Sequence, residues 1–246
     1  MASLRVLGVI PARLHSTRLA RKVLREIAGV PMLAHVWRRA RQSPLLSDLL
    51  VATDADEVLN ACRALGIPAV LTSPQHPSGT DRIWEVAQTR AADLYANIQG
   101  DEPLVTAGHI EKLVQPFLAD PATEVSTLRI RATAEEAADP NVVKVVVTGK
   151  GTALYFSRLP IPFDRDGTAA PAYWKHLGLY AYRREALEAF HRLPPSALET
   201  SERLEQLRFL EHGIAIQVVE TTEPTIGVDT EADLRAVEAR LQSHPR

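Results

Sequence analysis

The chain has 246 residues, 46% hydrophobic and 24% charged, with a formal charge of −2; this suits one large α/β domain with a sizeable core and excludes a disordered or fibrous chain. So even a balance provides no global basic field for nucleic acid, so any phosphate must be held by locally placed cations, and the expected partners are small molecules. The lone cysteine, Cys62, allows no intrachain disulfide and no cysteine metal cage, and no window approaches the roughly 18 apolar residues of a membrane span, so no membrane insertion and a reducing cytoplasm are expected.

Residues 4–10 (LRVLGVI) form a short, nearly continuous apolar run, the pattern of a parallel strand buried on both faces. A polar and basic stretch over 11–21 follows, and Pro31 opens a helical pattern, with proline favourable in a first turn. The alternation then repeats. Strands are predicted over 49–53, 69–72 and 94–99, and helices over 55–65, 81–92 and 107–118. Cys62 lies in the amphipathic helix of that set and reads as a small core residue. Alternating strands and helices predict a mainly parallel, Rossmann-like sheet covered on both faces, in which ligands gather beyond the carboxyl ends of the strands. Over 142–182 the pattern becomes β-rich, with a turn-rich segment at 163–173, which predicts an antiparallel extension of a single domain over 1–246. Helices near 184–192 and 202–211, a strand over 215–220 and a closing helix from Thr230 complete the chain.

The residues directly after strands carry the chemistry. Arg13, Arg18, Arg21 and Lys22 fall within ten residues after the first strand, with Ser16 and Thr17 between them. Cations and backbone N–H groups there complement the roughly four negative charges of a nucleoside triphosphate, although a basic loop is also compatible with a solvated turn. Neither a Walker motif nor G-x-G-x-x-G is present, so a P-loop or dinucleotide fold is not indicated. Asp101 follows the 94–99 strand and Asp229 follows Ile226-Gly227-Val228. Two strand-end carboxylates on a triphosphate suit Mg²⁺; equally, an aspartate in such a place caps a helix, and Asp229 precedes Thr230-Glu231-Ala232-Asp233. Within Ser78-Gly79-Thr80-Asp81-Arg82, Ser78 or Thr80 can cap the helix that follows.

VIPAR (9–13), STRL (16–19) and Lys22 resemble the nucleotide-binding signature of sugar nucleotidylyltransferases that act on acidic sugars. HPSGTDR (76–82), NIQGDEP (97–103), YFSR (155–158), HLGLYAYR (176–183), LEQLR (204–208) and GVDTEADL (227–234) narrow the resemblance to the 3-deoxy-manno-octulosonate (Kdo) cytidylyltransferases, in the same order over nearly the whole chain. The resemblance implies transfer of CMP from CTP to an acidic eight-carbon sugar for lipopolysaccharide precursors, with Mg²⁺, in a homodimer joined through the 142–182 region. It implies nucleotide contacts from Pro11, Ala12, Arg13, Ser16, Lys22, Ser78, Gly79, Arg82 and Gln99, and metal binding by Asp101 and Asp229. Arg13, Lys22 and Asp101 are the implied catalytic residues. Gln99, Arg158, His176, Tyr180, Glu205 and Gln206 are implied for the sugar; without the resemblance they read as core, strand and solvated helix residues. A related acidic sugar, an 8-amino analogue or a sialic acid, fits the nucleotide half equally well, and a non-catalytic nucleotide-binding relative is the alternative of a different class. One departure stands out: the family pattern Leu-Pro-Gly-Lys-Pro is here Leu19-Ala20-Arg21-Lys22-Val23. The lysine keeps its register, while a turn expected to hold proline and glycine carries alanine and arginine.

Overall fold

The computed structural model of the protein describes residues 4–14, 19–167 and 171–243. It contains two compact units, Met1–Glu111 with Pro224–Arg246, and Lys112–Glu223.

The first unit begins with β1 (Val6–Ala12), whose apolar residues are buried. A 3-10 turn at Lys22–Leu24 leads into a small hairpin of β2 (Glu26–Ile27) and β3 (Val30–Pro31). Ala28 and Gly29 join these strands with φ of 50° and 74°, the paired positive values of a type I′ turn. Helix α1 (Met32–Ala40) follows with Pro31 at its N-cap rather than inside its first turn. Then come β4 (Asp48–Thr53), α2 (Asp56–Ala64), β5 (Ala69–Leu71), α3 (Gly79–Thr89) and β6 (Leu94–Asn97). In this unit β6, β1, β4 and β5 lie in that order and run parallel, as the buried runs of valine, leucine and isoleucine require. Ala12 is paired with Thr53 and Val9 with Asn97, so the carboxyl ends of β1, β4 and β6 come together. Helix α4 (Ala107–Ala119) carries the chain on, and the closing helix α9 (Glu231–Ser243) belongs to this unit.

The second unit is built on β7 (Val125–Arg131), α5 (Ala134–Ala138), β8 (Lys144–Val147), β9 (Ala153–Ser157), β10 (Trp174–Arg183), α6 (Arg184–Arg192), α7 (Ala197–Glu202), α8 (Leu207–Glu211) and β11 (Ile216–Glu220). Strand β10 runs antiparallel to β7 and to β8, β8 antiparallel to β9, and β11 parallel to β7. The antiparallel extension expected over 142–182 is thus present. The single helix expected over 202–211 is not: α7 ends at Glu202, Arg203 turns left-handed at φ 56°, and α8 starts only at Leu207. Strand β7 and helix α5 occupy a stretch to which the sequence assigned no element.

Candidate active site

In the first unit the ends of three parallel strands are drawn to one place by close backbone approach. A Cβ at Gly100 would lie 2.9 Å from the Pro11 carbonyl oxygen, whereas one at Gly79 would meet the Pro11 ring only in ordinary van der Waals contact, at 3.5 Å from Cγ. Only glycine lets the segment after β6 pass so near the end of β1. Ile98 N–H donates to Val9 O at 3.0 Å and extends the ladder beyond β6. Pro11, Gly79, Gln99 and Asp101, separated by up to ninety residues in sequence, therefore gather at one sheet edge, with exposed Arg13 just past β1. Ser16 lies outside the described residues.

Lys22 is the centre of this cluster. Its Nζ donates to Asp101 Oδ2 at 2.5 Å and to Asp229 Oδ1 at 2.9 Å. The lysine side chain is 13% exposed, against 30% for Asp101 and 40% for Asp229, so the cation is the buried partner and both carboxylates remain reachable. Burial alone would lower the ammonium pKa, but the Asp101 carboxylate and then Asp229 outweigh it, and the net shift is upward. One backbone contact joins the segments that carry the two carboxylates: Val228 N–H donates to the main-chain Asp101 O at 2.9 Å. Thr230 Oγ1 caps α9, accepting from Asp233 N–H at 3.2 Å, while Asp233 Oδ2 accepts from the Asp229 and Thr230 N–H groups at 3.0 and 2.8 Å and from the Thr230 hydroxyl at 2.8 Å. The backbone N–H of Asp229 is thus held by the α9 cap, and its Oδ1 accepts from Lys22.

Two hard carboxylate oxygens converging on one cationic atom also form a donor pair suited to a divalent ion. Among the described residues no group of three His, Cys, Asp or Glu side chains could hold a metal, so an ion here would complete its shell with water and phosphate oxygen, the usual habit of Mg²⁺.

The 73–82 segment is pinned from both sides. Ser78 caps α3, accepting from Asp81 N–H at 3.1 Å and donating to Asp81 Oδ2 at 2.7 Å. Glu85 accepts from Ser73 N–H at 2.9 Å and meets the His76 ring. Arg82 is buried and donates to Asp54 Oδ2 at 2.8 Å and to the Thr72 hydroxyl, which itself donates to Thr53 O at 3.0 Å. Its guanidinium thus ties α3 to the ends of β4 and β5. Sequence reasoning passed over Asp54; the signal was an aspartate directly after an apolar strand, as at Asp101.

In the second unit, side chains expected at the sugar form a row on and beside β10. His176 Nε2 lies 2.9 Å from Thr127 Oγ1, itself 2.7 Å from Leu179 O. The imidazole is edge-on to Phe156 at 5.0 Å and tilted on Tyr180 at 5.3 Å. Burial pushes it down to about 3, so it is neutral near pH 7. Burial likewise pushes the Tyr180 phenol well up, with Tyr182 and the Glu205 charge adding to the shift. Tyr180 stacks on Tyr182, which stacks on Phe209 of α8, next along the chain to the 204–206 turn that carries Glu205 and buried Gln206. A register shift in β10 between Leu177 and Tyr180 re-aims the side chains on either side, as bulges do. Arg158 differs: its Nε donates to Glu202 O at 2.7 Å, NH1 to Pro140 O at 3.0 Å and NH2 to Arg203 O at 3.4 Å. Those donors brace the turn after α7. Thr127 was missed because its strand was.

The fold is that of a nucleotidyltransferase. A solved cytidylyltransferase from Leptospira borgpetersenii shares it with a TM-score of 0.68 at 14% identity, over 99% of this chain and 89% of that one. The family model described as cytidylyltransferase matches residues 7–217. A 3-deoxy-manno-octulosonate cytidylyltransferase of Acidobacterium capsulatum is 58% identical over 98% of both chains. The solved structure of a CMP:2-keto-3-deoxy-manno-octonic acid synthetase complexed with CTP is 45% identical, with a TM-score of 0.93 over 97% of this chain and 99% of that one. The chain belongs to the cytidylyltransferase family, among the 3-deoxy-manno-octulosonate cytidylyltransferases.

Proposed function

We propose that the protein transfers CMP from CTP to the anomeric hydroxyl of Kdo, releasing pyrophosphate, to activate the sugar for lipopolysaccharide precursors. The observation that carries this reading at the level of chemistry is the bridge from Lys22 to Asp101 and Asp229 beside the carboxyl ends of β1 and β6. Kinship to the synthetase complexed with CTP supports the choice of nucleotide. The sugar hydroxyl attacks the α-phosphorus in line, one P–O bond forms, and the bond to the β-phosphate oxygen breaks. Positioning and charge neutralisation supply most of the acceleration in such chemistry.

Arg13, exposed past β1, and Lys22 neutralise the phosphates. Pro11, Ala12, Ser78 and Gly79 shape the nucleotide pocket, and Arg82 serves it by holding α3 to Asp54 and Thr72. Asp101 and Asp229 would hold Mg²⁺, which would supply charge stabilisation to the phosphates and acidify the attacking hydroxyl. His176, neutral, and Tyr180, un-ionised, offer donors and acceptors to sugar hydroxyls without adding charge, and Gln206 and the Glu205 carboxylate beside them add further partners; Gln99, in the first unit, is a separate candidate for both nucleotide and sugar. Arg158 contributes through the turn it braces. A second copy of the chain covers the 142–182 region, a reading supported by exposed Leu154, Leu159 and Phe163 in and after β9, at 59%, 69% and 83%. The enzyme works in the cytoplasm; among the described residues no helix is long and apolar enough to cross a membrane.

Pyrophosphate release with CTP and Mg²⁺ in excess tests the substrate. Kdo should turn over fastest in a panel with its 8-amino analogue and a sialic acid. Preference for either of those, or no release with any sugar acid, overturns the assignment.

A further inference from the structure

Lys22 is placed to do more than meet phosphate. Its ammonium is the buried member of the triad and stands within hydrogen-bond distance of both carboxylates proposed as metal ligands. The segment that carries it is held firmly. Arg25 makes a bidentate pair with Glu231, at 2.6 and 3.0 Å, and Ala28 N–H donates to Glu238 at 2.9 Å, both on α9. Leu19, Ile27 and Met32 pack with Val228, Leu234 and Val237 in one apolar cluster. The backbone seat is therefore fixed relative to Asp229, and the freedom left to the ammonium lies in the rotatable bonds of its own side chain.

An ammonium and a divalent cation cannot both contact the same carboxylate pair without strong mutual repulsion. A triphosphate removes the conflict, because its oxygens accept the lysine while the carboxylates turn to the metal. We propose that Lys22 is a resident counter-ion that holds Asp101 and Asp229 together and excludes free divalent metal from them, yielding its place only when a nucleoside triphosphate offers the ammonium new partners. Metal and nucleotide then load as one cooperative event. By linkage, each raises the affinity for the other by the same factor. This rests on the assignment of Asp101 and Asp229 as metal ligands.

Mn²⁺ binding followed by electron paramagnetic resonance tests it, with CTP absent or present and no sugar acceptor added. The wild-type protein should bind Mn²⁺ weakly alone and far more tightly with CTP. Lys22→Met and Lys22→Gln should each bind Mn²⁺ alone about tenfold more tightly than wild type, and the enhancement by CTP should shrink by a like factor. Two variants with retained melting transitions guard against misfolding. If both bind Mn²⁺ alone no more tightly than wild type, while Asp101→Asn abolishes CTP-supported binding, the counter-ion role is overturned and the metal assignment stands. If Asp101→Asn leaves CTP-supported binding intact, the metal assignment itself fails, and this proposal with it.

Discussion

Arg21 occupies a backbone conformation that suits glycine. Its φ of 55° and ψ of 33° are left-handed, at the position where the resembled family pattern has glycine. A side chain in that region costs about 1 kcal/mol. The guanidinium pairs with Glu57 at the first turn of α2, so the charge that replaces glycine reaches a neighbouring helix. An exposed pair of this kind returns about 0.5 kcal/mol. Arg21→Gly should therefore raise the unfolding free energy by about 0.5 kcal/mol in urea denaturation, from relief of backbone strain less the lost pair. A loss exceeding about 1 kcal/mol would contradict this balance. The identity of position 21 was readable as a departure in the sequence; its partner was not, because Glu57 lies across a loop that only the fold closes.

At the scale of elements, α9 orients the site through its N-terminus. Asp233, in the first turn of the helix, accepts three hydrogen bonds from Asp229 and Thr230 and so fixes the backbone of Asp229, whose Oδ1 meets Lys22. Asp233→Ala should raise the Mg²⁺ concentration needed for half-maximal pyrophosphate release by about tenfold, the usual effect of removing a partner that orients a metal ligand. Asp233→Asn keeps an acceptor oxygen and should stay close to wild type. An unchanged Mg²⁺ requirement in the alanine variant would show that the cap matters to the helix alone. The sequence shows the Thr230-to-Asp233 spacing plainly, yet the same residues allow Asp229 itself to cap. Strand β7 was hidden for a related reason. Arg129 and Arg131 interrupt its apolar residues, and they are accommodated because both lie over the Trp174 ring, at 4.2 and 5.5 Å, a contact made only once β10 pairs with β7. Arg203 breaks the expected 202–211 helix with no glycine to announce it.

For the whole molecule, the parallel strands of the first unit were legible because each is a short apolar run followed by polar residues, and the gathering of Pro11, Gln99 and Asp101 follows from that topology. The antiparallel extension was legible from its β-rich runs. Less legible were side-chain partners. Arg82 and Arg158 look alike in the sequence as free cations for ligands, but the structure turns both inward, one onto Asp54 and the other onto three carbonyls. Lys144 is similar: it is fully buried and donates to the carbonyls of Asp139, Val142 and Arg158 at 2.9, 2.6 and 2.5 Å. Near-neutral net charge thus conceals a division between cations spent on the fold and cations left for phosphate, of which Arg13 and Lys22 are the proposed members. Of those two, Lys22 bridges Asp101 and Asp229, the pair proposed to hold the metal for CMP transfer. Pyrophosphate release by Asp101→Asn, with CTP, Kdo and Mg²⁺ saturating, tests that role most directly: a fall on the order of a hundredfold or more with an unchanged circular dichroism spectrum is the expected result, and near-normal release would contradict it.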